Sequence, residues 1–278
     1  MSHAPMKLAL VTDTHLAPRA TAFNANWHAA RLWIERVRPD LVIHLGDISA
    51  DGEHDPTELE AAAAEFRGLP APLRFLPGNH DIGDRPSADA LAHYRRCFGA
   101  DWWSEQVAGW QLIGLNTQLL GLEHADEERQ FAWLEAQIRG SDAPLCLLLH
   151  KPLPPGEDSA EPGGRYVSAA AARRLRDLCA TRTLRLVICG HTHQLHQVDE
   201  GTVRHVWLPS TSFCVPEALQ QRVGDKRVGV MLLHLDPGHY ALTPLTPAGM
   251  QRHNLLDFPQ VYPQLQGLKQ RHGPAAEL

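Results

Sequence analysis

Short apolar runs alternate with longer amphipathic segments along the first two thirds of the chain. The apolar runs have the length of buried strands, and they predict strands at 7–12, 41–46, 73–78, 110–117, 145–150 and 185–190. The intervening segments space their apolar residues as helices do, and they predict helices over 24–39, 55–69, 87–99, 126–140 and 168–180. This alternation is typical of a layered α/β domain.

Strands without intervening helices follow in the last third. Apolar runs predict strands at 202–210, 227–236 and 240–245, and the last two form a hairpin around Pro237-Gly238-His239. They indicate a second, mixed sheet packed on the first. Residues 250–278 are polar, with scattered proline and glycine. We expect one domain over 1–249 and a tail over 250–278 that is loose or serves as an oligomerisation arm on a partner subunit.

The composition favours some classes of protein and disfavours others. The 278 residues are 44% hydrophobic and 21% charged, as in ordinary globular proteins, with a net charge of −6. No large lysine and arginine cluster is present, which disfavours binding to long nucleic acids. The five scattered cysteines, without a CxxC pair, suit a reducing cytoplasmic location. No apolar run has the length of a membrane helix and the N-terminus lacks a signal-peptide pattern, so we expect no membrane association.

Polar side chains of metal-ligand type follow five of the predicted strands. In chain order these residues are Asp13 and His15, Asp47, Asn79 with His80 and Asp81, His150, and His191 with His193. Residues two apart in an extended segment point to the same side, so each spaced pair can face one pocket. Glycine precedes Asp47, Asn79 and His191, and it lets the backbone turn sharply. Because ligands of α/β sheets gather at the carboxyl ends of strands, we expect these groups to converge.

The predicted donor set mixes imidazole nitrogens with carboxylate and amide oxygens. That mixture favours Mn, Fe or Zn over Ca or Mg, which prefer oxygen alone. The donors outnumber the needs of one tetrahedral site, and they fit two metals about 3.5–4 Å apart with a shared carboxylate. Each motif alone has an ordinary explanation, such as a solvated turn or a core histidine. Their joint occurrence after successive strands favours the metal site.

Together these motifs resemble the calcineurin-like metallophosphoesterase superfamily, whose pattern runs D-x-H, G-D, G-N-H-D/E, H and G-H-x-H. The resemblance covers about residues 7–210 and implies an α/β fold, a four-layer αββα sandwich of two mixed sheets flanked by helices. It also implies a role for each site residue: one metal held by Asp13, His15 and His193, another by Asn79, His150 and His191, Asp47 bridging them, His80 assisting at the substrate, and Asp81 orienting His80.

Within the superfamily the chain looks most like class III cyclic nucleotide phosphodiesterases and bacterial glycerophosphodiesterases. The GHTH motif followed by LPSTSF at 208–213 carries this likeness. It implies hydrolysis of a small phosphodiester by attack of a metal-bridging hydroxide, with two ions of Mn, Fe or Zn. A phosphomonoesterase or a non-catalytic metal-binding scaffold on the same fold are the alternatives. A homo-oligomer is compatible with the sequence.

Three residues outside the motifs are candidate substrate contacts. Arg165 and Tyr166 belong to a proline- and glycine-rich segment, 151–167, that follows His150, and long loops of this kind are often functional. Arg85 follows the GNHD motif closely enough to reach a phosphate. The alternatives are a solvated surface loop for the first two residues and a surface ion pair for Arg85.

Overall fold

Two stacked β-sheets with helices on both outer faces make up the fold in the computed structural model. The structure describes residues 4–122, 124–155, 164–180 and 183–278, so the centre of the predicted 151–167 loop lies outside the described residues. The strands are β1 Met6–Val11, β2 Leu41–His44, β3 Leu73–Phe75, β4 Trp103–Val107, β5 Trp110–Gly114, β6 Leu145–Leu149, β7 Leu184–Cys189, β8 His196–Glu200, β9 Val203–Trp207, β10 Val230–Asp236 and β11 His239–Leu245. The helices are α1 Thr21–Val37, α2 Pro56–Glu65, α3 Asn79–Ile82, α4 Ala88–Phe98, α5 Ala125–Arg139, α6 Ala169–Cys179 and α7 Leu268–His272.

Both sheets are mixed, as the resemblance implied. The expectation that the late strands form the second sheet is wrong for β10 and β11, which pair onto β1 in the first sheet. The first has the order β11-β10-β1-β2-β3, in which β1, β2 and β3 are parallel to one another and β10 runs antiparallel to both of its neighbours, β1 and β11. The second has the order β4-β5-β6-β7-β9-β8, with a parallel centre and antiparallel edge strands. The carboxyl ends of the parallel strands therefore provide edges at which side chains from both sheets can meet.

Alternation along the central strands explains the layering. On β1, Leu8 and Leu10 point into the apolar layer between the sheets, whereas Ala9 and Val11 point to the outer helices. Helices α1, α2 and α4 cover the first sheet, and α5 and α6 cover the second. The result is the predicted four-layer αββα sandwich.

Side-chain caps fix where several helices begin. The Ser87 side chain caps α4 by accepting a hydrogen bond from the backbone N–H of Ala90. Asp55 caps α2 in the same manner, with Pro56 at the first helical position.

Among the described residues, no helix is long and apolar enough to cross a lipid bilayer.

The segment 250–278 packs against its own chain. Val261 and Tyr262 are buried, and they join Phe23 and Phe213 in a small apolar cluster beside the start of α1. The Asn26 side chain both donates to the backbone carbonyl of Gln251 and accepts from its N–H, each at 2.8 Å. The described tail is thus part of the fold, and a role in oligomerisation stays a prediction.

Helix α1 offers a matched test of the outer apolar layer. Ile34 is fully buried against the first sheet, whereas Leu32 on the same helix is 61% exposed. We expect Ile34→Ala to lower the free energy of unfolding by about 2–5 kcal/mol, because it removes buried methyl groups and leaves a cavity. Leu32→Ala is expected to change it by less than about 0.5 kcal/mol. Equal midpoints for the two variants in urea unfolding would contradict this packing.

Candidate metal centre

Seven potential ligands converge at the carboxyl ends of strands from both sheets. From the first sheet, the turns after β1, β2 and β3 supply Asp13, His15, Asp47 and Asn79; from the second, the turns after β6 and β7 supply His150, His191 and His193. All seven are buried or half-buried. The convergence that the sequence predicted is therefore present.

One group of donor atoms is formed by Asp13, His15, Asp47 and His193. The Nε2 atoms of His15 and His193 are 3.3 Å apart, and the His193 Nε2 atom is 3.3 Å from Asp13 Oδ1. The Oδ2 atom of Asp47 lies 3.8 Å from the His15 Nε2 atom. Each residue offers a ligand atom within 4.8 Å of those of the others, which is close enough to surround one ion.

The second group contains Asp47, Asn79, His150 and His191. The Nε2 atom of His150 is 3.3 Å from Asp47 Oδ1 and 3.4 Å from Asn79 Oδ1. His191 offers a nitrogen within 4.8 Å of the Asp47 and His150 ligand atoms. Asp47 thus belongs to both groups, with Oδ1 towards the second and Oδ2 towards the first. A carboxylate placed in this way can bridge two ions.

The outer nitrogens of three histidines are held by hydrogen bonds. The Nδ1 atoms of His150 and His193 lie 2.7 Å from the Leu45 carbonyl and 3.0 Å from the Phe213 carbonyl. The His15 Nδ1 atom lies 2.7 Å from the Tyr262 hydroxyl. Because a carbonyl only accepts, Nδ1 of His150 and of His193 carries the hydrogen, and Nε2 is left to bind an ion or a proton. This arrangement is typical of metal-binding histidines, so the residues fit a metal centre.

Burial and mutual attraction shift the ionisation of the donors. Burial would raise the pKa of Asp47, but the charges of His150 and His80 outweigh it and hold that pKa well below its ordinary value. Burial opposes protonation of His150, yet attraction to Asp47 prevails and raises its pKa to about 9. Burial and repulsion from His150 lower the pKa of His191 to about 3. Protons and metal ions compete for these atoms, so ion binding releases protons.

Two donors of the first group, His15 and Asp13, both have a lowered pKa. Burial, followed by repulsion from His80, lowers the pKa of His15 well below its ordinary value. Burial would raise the pKa of Asp13, but attraction to His193 and a hydrogen bond from it outweigh burial and lower that pKa. His15 is therefore a neutral donor beside two carboxylates, as metal binding requires.

Five of the donors have a left-handed backbone. The φ angles are 53° at Asp13, 46° at His15, 53° at Asp47, 66° at His191 and 52° at His193. This region is unfavourable for residues with a Cβ atom, and such residues cluster at functional sites. Gly46, at φ 97°, shows the crowding: a Cβ atom there would come within 2.6 Å of His150 Nδ1.

His80 lies beside the donors and lines the cavity above them. Its backbone N–H donates to Asp47 Oδ1 at 2.9 Å, and its Nδ1 atom is 2.8 Å from the Ala50 carbonyl. The carbonyl therefore fixes the tautomer and the orientation of the ring. The Nε2 atom is the ring nitrogen left available to a bound molecule.

Asp81 does not orient His80 as the sequence analysis expected, because its carboxylate is used elsewhere. It accepts hydrogen bonds from the backbone N–H groups of Ile48, Ser49 and Gly78 at 3.1, 2.8 and 2.9 Å, and from the Ser49 hydroxyl at 2.8 Å. Burial, followed by repulsion from Asp47, raises the pKa of Asp81 to about 6. Asp81 therefore ties the turn after β2, which carries Asp47, to the turn after β3.

A cavity of about 210 Å³ opens above the donors. Beside donor residues and His80 it is lined by Phe213, Val215, Leu255, Tyr262 and Gln264. The sequence analysis missed these five residues, and those of the tail belong to no recognisable motif. The LPSTSF stretch, which contains Phe213, was the only signal for any of them.

The three predicted substrate contacts are not among the described lining residues. Arg85 is exposed. The Arg165 guanidinium lies over the ring of Tyr166, 5.9 Å from its centroid, and Tyr166 packs 6.0 Å from the ring of Trp207. Contacts of these residues with substrate stay predictions.

The fold and this donor set define a metallophosphoesterase, and comparison with known proteins agrees. The family model described as calcineurin-like phosphoesterase matches residues 6–195. The chain belongs to this family of metal-dependent phosphoester hydrolases, which uses a dinuclear metal centre. The resemblance and the enzyme class that the sequence predicted are confirmed.

Two curated relatives have about the same degree of similarity. The chain is 30% identical over 226 residues to 3′,5′-cyclic adenosine monophosphate phosphodiesterase CpdA of Escherichia coli, covering 75% of this chain and 77% of that protein. It is 30% identical over 233 residues to glycerophosphodiester phosphodiesterase GpdQ of Enterobacter lignolyticus, covering 76% and 79%.

Solved structures with low sequence identity share the fold. The purple acid phosphatase PPD1 from yellow lupin superposes with a TM-score of 0.67 at 13% identity, covering 90% of this chain and 53% of that chain. A dimetal phosphatase from Danio rerio superposes with a TM-score of 0.60 at 14% identity, covering 86% and 95%. These matches support the four-layer architecture.

Proposed function

We propose that this protein is a dinuclear-metal phosphodiesterase that hydrolyses a small diester of the cyclic nucleotide or glycerophosphodiester type. The observation that carries the proposal is the position of Asp47, which offers one carboxylate oxygen to each of two donor groups. The similarity to the phosphodiesterases CpdA and GpdQ supports diester chemistry.

In this proposal each donor group holds one ion of Mn, Fe or Zn. Asp13, His15 and His193 would hold the first ion, Asn79, His150 and His191 would hold the second, and Asp47 would contribute to both. When bound, the ions supply positive charge for the phosphoryl oxygens and lower the pKa of a water that serves as nucleophile. The backbone carbonyls that accept from Nδ1 of His150 and His193 would leave the Nε2 atoms of these rings free to bind the ions.

His80 assists departure of the leaving group. As the bond between phosphorus and the leaving oxygen breaks, that oxygen takes a proton from His80 Nε2, and the electron pair of the bond stays on the oxygen. The Ala50 carbonyl accepts from Nδ1 and holds the ring so that Nε2 is the nitrogen that faces the leaving oxygen. The hydrogen bond from the His80 backbone N–H to Asp47 sets the distance between this acid and the metal centre.

The charge around the cavity supports a diester substrate. None of the described residues that line the cavity is a lysine or an arginine. The metal ions must therefore balance the charge of the substrate, and a diester carries one negative charge where a monoester carries up to two. The apolar wall of Phe213, Val215 and Leu255 also suits a second ester substituent.

A substrate panel tests the proposal. Apo-protein reconstituted with Mn, Fe or Zn is expected to cleave bis(p-nitrophenyl) phosphate with a kcat/KM at least about tenfold above that for p-nitrophenyl phosphate, a difference of about 1.4 kcal/mol. A cyclic nucleotide and a glycerophosphodiester complete the panel. The reverse preference would indicate a phosphomonoesterase. Full metal loading without hydrolysis of any ester would indicate a non-catalytic scaffold.

A further inference from the structure

The tail segment 250–265 forms one wall of the metal centre. Gln251 is tied to Asn26 of α1, whose side chain also donates to the Ser212 carbonyl at 2.8 Å. A second anchor is the Leu255 N–H, which donates to the Cys214 carbonyl at 3.0 Å.

The third anchor is near the end of the segment. Arg19 Nε donates to the Val261 carbonyl at 3.2 Å, and the Arg19 guanidinium is paired with the buried Glu58. The tail is thus fixed at three points around the cavity.

These anchors place Tyr262 next to a metal-binding histidine. Tyr262 is buried, and its hydroxyl lies 2.7 Å from His15 Nδ1. Its ring packs against Phe23, Phe213 and His80, with centroid separations of 6.5, 6.1 and 5.6 Å. Contacts on several sides of the ring hold the hydroxyl in one place.

We propose that Tyr262 is a positioning residue that fixes the ring of His15 for the first metal ion. The inference rests on the proposed function. It adds to the metal centre a residue of the tail, which lies outside residues 6–195, the segment that the family model matches. His150 and His193 receive the corresponding support from backbone carbonyls, whereas His15 receives it from this distant side chain.

The chemistry of coordination explains why the phenol oxygen suits this position. When His15 Nε2 binds an ion, the neutral ring carries its hydrogen on Nδ1, and that hydrogen needs an acceptor because the site is buried. The Tyr262 oxygen provides the acceptor. Without it, the buried N–H is unsatisfied and the ring loses a restraint on its orientation, so binding at the first ion site weakens. In the part of the chain that the structure describes, no hydrogen bond or ring contact joins Tyr262 to His150 or Asn79, so the second ion site is expected to keep its affinity.

Isothermal titration of apo-protein with Mn²⁺ tests this proposal. Tyr262→Phe is expected to weaken one of two binding events by about 10- to 100-fold and to leave the other within about twofold. The matched control is Tyr240→Phe, which removes the hydroxyl of a half-buried tyrosine on β11 that packs 5.7 Å from Trp110. The control is expected to bind both ions as the wild type does.

Two further measurements separate positioning from a general loss of structure. Adding Tyr262→Phe to His15→Ala is expected to cause no further loss of affinity, because the tyrosine acts through the histidine. The visible absorption of bound Co²⁺ is expected to change in Tyr262→Phe and not in Tyr240→Phe. Additive losses of affinity, or unchanged titrations and spectra in Tyr262→Phe, would overturn the inference.

The same experiments distinguish this inference from the proposed function. Failure of the wild-type protein to bind two ions would refute the dinuclear centre and the inference with it. Two ions bound without ester hydrolysis would refute only the enzymatic proposal. Normal binding and hydrolysis in wild type and in Tyr262→Phe would refute only the role of Tyr262.

Discussion

Asp47→Ala is expected to abolish binding of both ions and ester hydrolysis together. Asp47 is the only described side chain with an oxygen in each donor group, so its loss removes a ligand from both. Because metal ions supply several kcal/mol of transition-state stabilisation, we expect kcat/KM to fall by roughly 10³-fold or more.

Elemental analysis and diester hydrolysis, measured on the same preparation, check this prediction. Asp47→Asn accompanies the alanine variant, since it keeps the shape of the side chain and an oxygen that can accept from the His80 N–H. Asp199→Ala is the control. This exposed carboxylate lies on the edge strand β8 and is paired with Arg204 on the neighbouring strand β9. Retention of two ions by a folded Asp47→Ala protein would refute the bridging role.

His80→Ala is expected to keep both ions and to lose most of the rate. The His80 ring belongs to neither donor group, and its removal leaves a backbone N–H for Asp47. General-acid assistance contributes typically about 10²–10⁴-fold, and we expect kcat to fall within this range. The loss should be larger for an alkyl leaving group than for p-nitrophenolate, since a weakly basic leaving oxygen needs little protonation.

Metal content and the dependence of rate on the leaving group check this prediction. His28→Ala is the matched control, because this exposed histidine on α1 is paired with Glu65, away from the cavity. It is expected to hydrolyse all esters as the wild type does. Metal loss in His80→Ala as large as that in Asp47→Ala would show that His80 acts as a ligand. An equal rate loss for all leaving groups would exclude proton donation.

The core of the site could be predicted because its chemistry is tied to buried strands. Asp13, Asp47, His150 and His191 each come shortly after an apolar run, and the parallel order of the strands brings their carboxyl ends together. The layered fold follows from the same runs, since alternation on β1 separates Leu8 and Leu10 from Ala9 and Val11. Local pattern and topology agree in this part of the chain.

The parts that the sequence analysis missed lack such a pattern. Strand β8 is almost entirely exposed, because it is an edge strand held by backbone hydrogen bonds to β9. The hydrogen bonds of Asp81 to the turns after β2 and β3 depend on how close these two turns lie in the folded chain, which no local motif encodes. Tyr262 contacts His15 across 247 positions of sequence, in a tail whose polar composition indicated a loose segment or an arm.

The left-handed backbone at five donors has a consequence for the stability and the evolution of this protein. Conformations of this kind cost about 1–3 kcal/mol each, and glycine would relieve that cost at any of the five positions while deleting a ligand. Selection for thermal robustness alone would therefore erode the centre. Ions that bind only the native state act in the opposite direction. Metal starvation would thus threaten the persistence of the protein in a cell as well as its turnover.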